Sequence, residues 1–67
     1  MYIVKCRLCD DADLCDFWPA LVDYIDDKDE RHYRLGDKFF FRYSHESRFT
    51  HDLLKYSVFK YLEIVNQ

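Results

Sequence analysis

Residues 10–30, DDADLCDFWPALVDYIDDKDE, constrain the chain more than any other stretch because they carry two patterns at once. Leu14, Phe17, Trp18, Leu21, Val22 and Ile25 follow the i, i+3, i+4, i+7, i+8, i+11 spacing of one helical face. Around them stand nine carboxylates, from Asp10 to Glu30, against the single cation Lys28, a local charge of −8. A turn of about 100° per residue gathers Asp16, Asp23, Asp27 and Glu30 on the opposite face, with Asp26 beside them. At a rise of about 1.5 Å per residue this row runs roughly 20 Å. Pro19 bears on where the helix begins, since an interior proline costs about 3 kcal/mol whereas the first turn tolerates one. Asp16 as N-cap would put Pro19 in that first turn, so a regular helix is expected from 16 or 17 to 28, after a looser turn. The alternative start near Ala12 would kink at Pro19.

The flanking segments have other periods. YIVKCRL (2–8) alternates, with Tyr2, Val4, Cys6 and Leu8 on an apolar side, which predicts a strand. Gly36-Asp37 is a two-residue Gly-X turn of the type II′ kind. With Leu35 and Lys38 flanking it, Arg34 pairs with Phe39, Tyr33 with Phe40 and His32 with Phe41. Phe39, Phe41 and Tyr43 then share one face, and Tyr33, Leu35 and Phe40 share the other. SHESRF (44–49) reads as a polar connection, followed by a helix with Thr50 as N-cap. That helix would bury Leu53, Leu54, Val58, Tyr61, Leu62, Ile64 and Val65. Asp52, Lys55, Lys60 and Glu63 would lie outside, with Tyr56 and Phe59 exposed among them. A strand across 57–65 competes, because the segment is rich in β-formers, but it would set Lys60 and Glu63 on apolar faces. The helix sorts the charges better. The expectation is one α+β domain over 1–67, in β-α-β-β-α order, with two helices on one face of a three-stranded antiparallel sheet.

A chain of 67 residues builds a marginal core. Six Phe, six Tyr and one Trp fill it and leave aromatic rings for the surface. No window has the length and apolarity of a membrane span, and the N-terminus turns charged too early for a signal peptide. Three cysteines, an odd number, argue against a complete disulfide framework. These features predict a cytoplasmic protein.

The candidate chemistries follow. Cys6, Cys9 and Cys15 would supply three zinc thiolates, with a histidine as fourth ligand, making a zinc-stabilised interaction module. One CxxC is only half of the usual zinc signature, and Cys6 falls on the strand's apolar side, so no cofactor is expected. No phosphate loop or nucleophile motif occurs, and no enzymatic role is expected. The basic and aromatic hairpin 31–43 would serve a single-stranded nucleic-acid binder through Arg34, Lys38, Phe39, Phe41 and Arg42. The acidic helix makes the leading expectation. Its face lacks lysines at i, i+4, and a rigid carboxylate row imitates a phosphate backbone. Asp16, Asp23, Asp26, Asp27 and Glu30, with Tyr56 and Phe59 as anchors, would dock into the basic groove of a nucleic-acid-binding protein and inhibit or modulate it. Residues 1–9 carry +2 and residues 31–67 carry +3, so homo-oligomerisation, acidic helix to basic hairpin, is a further option. The small, Asp- and aromatic-rich, Gly-poor composition is of the kind expected from a virus or phage acting on host machinery in the host cytoplasm.

Overall fold

The computed structural model describes residues 1–28 and 32–65. In chain order the elements are β1 (Tyr2–Leu8), α1 (Leu14–Asp27), β2 (His32–Leu35), β3 (Lys38–Tyr43), α2 (Glu46–Lys55), a 3₁₀ turn (Ser57–Tyr61) and β4 (Leu62–Ile64). The class is α+β, but the sheet has four strands rather than three, in the order β2-β3-β1-β4. Each described pairing is antiparallel. This is a split β-α-β arrangement: α1 links β1 to β2 across β3, and α2 links β3 to β4 across β1.

The hairpin has the register that its turn dictates, with Leu35 opposite Lys38, Arg34 opposite Phe39, Tyr33 opposite Phe40 and His32 opposite Phe41. Gly36 sits at φ +63°, as the first position of a primed turn requires. β1 lies between β3 and β4, with Val4 opposite Phe41 and Cys6 opposite both Phe39 and Ile64. Alternation then sends Val4, Cys6, Phe39, Phe41, Tyr43 and Leu62 to one face, where all are buried. Phe17, Leu21 and Tyr24 of α1, Phe49 of α2, and Val58 and Phe59 of the 3₁₀ turn complete that core. Its rings meet mostly edge to face, Tyr24 on Phe41 at 5.5 Å and Phe49 on Phe59 at 5.5 Å, the arrangement the ring quadrupole favours.

Two helix boundaries differ from expectation. α1 starts at Leu14, because Asp13 rather than Asp16 is the cap and its carboxylate accepts the Cys15 N–H at 2.8 Å. Pro19 is therefore inside the helix. It has no N–H for the Cys15 carbonyl, but both residues are exposed, so solvent can reach that orphan group. The second helix is displaced toward the N-terminus: 46–55 is helical, and the segment expected to continue it turns through 3₁₀ geometry into β4. The exposed edge of β1 decides this. Antiparallel pairing with Leu62–Ile64 satisfies that edge, and Glu63, the charge that argued against a strand, meets Arg7 at 3.0 Å on the uncovered side of the sheet. The 3₁₀ turn buries Val58 and Phe59, whereas Leu54 is 85% exposed.

Candidate functional site

The outer surface of α1 carries Asp16, Asp23, Asp26 and Asp27, all exposed. Asp16, Asp23 and Asp27 fall within about 40° of one another around the helix axis. None of the four is ion-paired among the described residues. Glu30, the fifth member of the expected row, lies outside the described residues.

The buried stripe of α1 is Phe17, Ala20, Leu21 and Tyr24, rotated away from half of the apolar residues that the spacing had grouped with it. Leu14, Trp18 and Val22, at i, i+4 and i+8, are 49%, 43% and 49% exposed. Trp18 leans on Phe17 with ring centroids 5.1 Å apart, which leaves much of the indole to solvent. The helix thus shows solvent an apolar row on one flank and carboxylates on the other. Sequence reasoning missed this because a six-member apolar set spans more arc than one sheet can cover; only Ala20 and Tyr24, outside that set, hinted at the true centre of the stripe.

Of the two proposed anchors, Phe59 is corrected: it is buried, because the 3₁₀ turn points its ring between Phe41 and Phe49. Tyr56 is half-buried. Its hydroxyl donates to the Asp27 carboxylate, and that bond, with some burial, pushes the phenol up to about 12. Asp23, Asp26, Asp27 and Tyr56 line an open hollow of about 360 Å³. The Lys55 ammonium lies 5.3 Å from the centre of the Tyr56 ring, a cation–π contact beside that hollow.

Behind α1 runs a buried polar chain. Tyr43 donates to Asp52 at 3.0 Å, so the Tyr24 hydroxyl, 2.5 Å away, donates to Tyr43. Lys28 reaches the same Asp52 oxygen at 3.4 Å. Asp52 is therefore buried, against the expectation that placed it outside. Burial, with Tyr24 and Asp52 alongside, drives the Tyr43 phenol far above its ordinary value. A smaller hollow of about 210 Å³ opens next to it, lined by Lys28, Ser47, Arg48, His51 and Asp52.

The cysteines do not converge. Cys6 is buried under the sheet, and desolvation pushes its thiol up to about 12, which disfavours the thiolate a metal needs. Cys9 is half-buried and Cys15 is exposed on α1. Among the described residues, no three His, Cys, Asp or Glu side chains gather as a metal site would require.

The hairpin residues divide between the two faces of the sheet. Phe39 and Phe41 are buried in the core, a correction to their expected role as exposed platforms, because their register faces them toward the helices. Arg34 shares that side at its margin, 5.9 Å from the Phe39 ring centre and bonded to the Gly36 carbonyl at 2.8 Å. Lys38 and Arg42 point to the opposite, helix-free face. There alternation joins them to Tyr33, Leu35 and Phe40 of the hairpin, to Ile3, Lys5 and Arg7 of β1 and to Glu63 of β4. The Tyr33 and Phe40 rings stack at 4.8 Å, inclined by 7°.

No described helix is long and apolar enough to cross a membrane. No protein-family model matches this sequence, and neither curated proteins nor solved structures give a match.

Proposed function

We propose that this is a non-enzymatic binding protein that docks the outer surface of α1 into the basic groove of a partner protein, a nucleic-acid-binding protein whose activity it blocks or modulates. The observation that carries this reading is the pairing of two rows on one helix: Leu14, Trp18 and Val22 exposed beside Asp16, Asp23, Asp26 and Asp27. A solvated charged face has no use for an exposed tryptophan at its flank. An interface does, because Trp supplies a large rigid anchor while surrounding charges steer approach and fix register. The carboxylates stand on a rigid helix and lack cationic partners among the described residues, so they present a preformed polyanion to a phosphate-binding groove. Trp18 takes the anchoring role first assigned to Phe59, and Tyr56 shapes the acidic hollow through its bond to Asp27. The setting proposed is the cytoplasm, that of a host cell if the chain is of viral or phage origin. The reading needs no cofactor.

Competition tests it. A partner captured on the immobilised protein at low salt should be released by added duplex nucleic acid, because both polyanions compete for one groove. Raising the salt without duplex should also release the partner, because the docking is electrostatic. A captured partner that duplex does not displace would rule out groove occupation.

A further inference from the structure

We infer that the helix-free face of the sheet is a binding surface for single-stranded nucleic acid, centred on Tyr33 and Phe40. It lies across the sheet from α1 and uses none of the residues assigned above. Both helices pack on the other face, which leaves Tyr33 41% and Ile3 41% exposed here.

Four cations, Lys5, Arg7, Lys38 and Arg42, share this face with one strand carboxylate, Glu63. Their placement about the rings is regular. On β3, Lys38 and Arg42 stand two residues before and after Phe40, about 7 Å away in each direction along the strand. Lys5 is directly opposite Phe40 on β1, and Tyr33 is directly opposite it on β2. Cations thus flank an aromatic pair on three sides, while the fourth, beyond Tyr33, is the sheet edge.

The Tyr33–Phe40 stack is nearly parallel, so a base laid on the outer side of Tyr33 continues it. Stacking of this kind is indifferent to base identity, and the surrounding cations meet the backbone phosphates. The ion pairs already present yield readily. Arg7 with Glu63 at 3.0 Å and Asp10 at 3.4 Å, and Lys38 with Asp37 at 2.8 Å, are solvent-accessible contacts between groups about a third or more exposed. Such pairs are individually weak, and phosphate can replace them. Arg42 rests its guanidinium on the Met1 thioether at 3.3 Å, a contact that holds the side chain over the face without neutralising it. A duplex fits the arrangement poorly, because its bases are already stacked within the helix and leave no free face to lie on Tyr33.

The test is fluorescence anisotropy of a labelled oligothymidylate of about 12 nucleotides against the full chain, in about 50 mM salt. Saturable binding is expected, with weaker binding to a duplex of equal length. Tyr33→Ala with Phe40→Ala should weaken it by about 5- to 150-fold per base unstacked. Arg42→Ala should lower the salt slope by about 0.7, one phosphate contact on a single strand, and serves as the test should the aromatic variant fold poorly. Three results would overturn the proposal: no saturable binding, equal affinity for the duplex, or unchanged binding by the Arg42 variant. Self-association at low salt with no oligonucleotide bound would overturn it too, assigning this face to the acidic helix of a second copy.

Discussion

Asp52 ties three elements together: it accepts the Tyr43 hydroxyl of β3 and faces Lys28 at the end of α1 from its own place in α2. Replacing it leaves the buried Tyr43 hydroxyl without its acceptor and the mostly covered Lys28 ammonium without its counter-charge, so Asp52→Ala should cost about 2–3 kcal/mol in urea unfolding, and Asp52→Asn less. Cys6 gives a pH prediction. Its folded thiol titrates at about 12, whereas an unfolded thiol ionises near about 8.5. Between these values the unfolded chain has lost the proton that the folded one keeps, so stability falls as pH rises. Tyr43 and Tyr56, also raised, act in the same direction. Cys6→Ala should make unfolding midpoints decline less steeply across that window, and Cys15 should be alkylated well before Cys6 in the native protein. Gly36 is a third case. No atom stands within 4 Å of a Cβ built there, but φ is +63°. Gly36→Ala should therefore cost about 1 kcal/mol through backbone strain alone.

At the scale of elements, local signals were legible and long-range ones were not. The hairpin register followed from one turn and the first strand from its alternation, because each pattern is closed within a few residues. Within α1 the cap was obscured by a run of acceptable candidates, Asp10, Asp11, Asp13 and Asp16, and Pro19 argued for the wrong one. The C-terminal third failed for a different reason. Val58, Leu62 and Val65 suit either a helix or a strand, and the outcome depends on the open edge of β1, some 55 residues earlier, and on Arg7 waiting for Glu63. The carboxylate row was legible, but Trp18 beside it was not, since its exposure depends on how α1 rolls on the sheet. The fold makes a contrast at Leu62 and Leu54. Leu62→Ala should cost about 2–4 kcal/mol, whereas Leu54→Asp should stay within about 0.5 kcal/mol, reversing what a continuous helix would give. In α1, Phe17→Ala should cost about 3–5 kcal/mol and Trp18→Ala about 1 kcal/mol or less, so the two adjacent aromatics separate folding from binding.

The whole molecule is electrically two-sided. Its helical side bears the exposed aspartates of α1, and its open sheet face bears Lys5, Arg7, Lys38 and Arg42. A second copy would meet the first head to tail, acidic helix on basic sheet, an association that forms a ring or an open filament according to its rotation. The carboxylates on α1, without ion pairs among the described residues, also repel one another, which a protein selected for stability alone would relieve with lysines at i, i+4. On the proposed function, that cost is retained for a partner. The most direct measurement follows from it: the affinity of the captured partner for the native chain and for the Asp16→Lys, Asp23→Lys variant, with the unfolding midpoint of each. The account predicts a variant that still folds, in which relief of Asp23 from Asp26 and Asp27 offsets the loss of the favourable Asp16 charge in the first turn of α1 to within about 1 kcal/mol, and whose partner binding is lost. Unchanged affinity in a folded variant would contradict it.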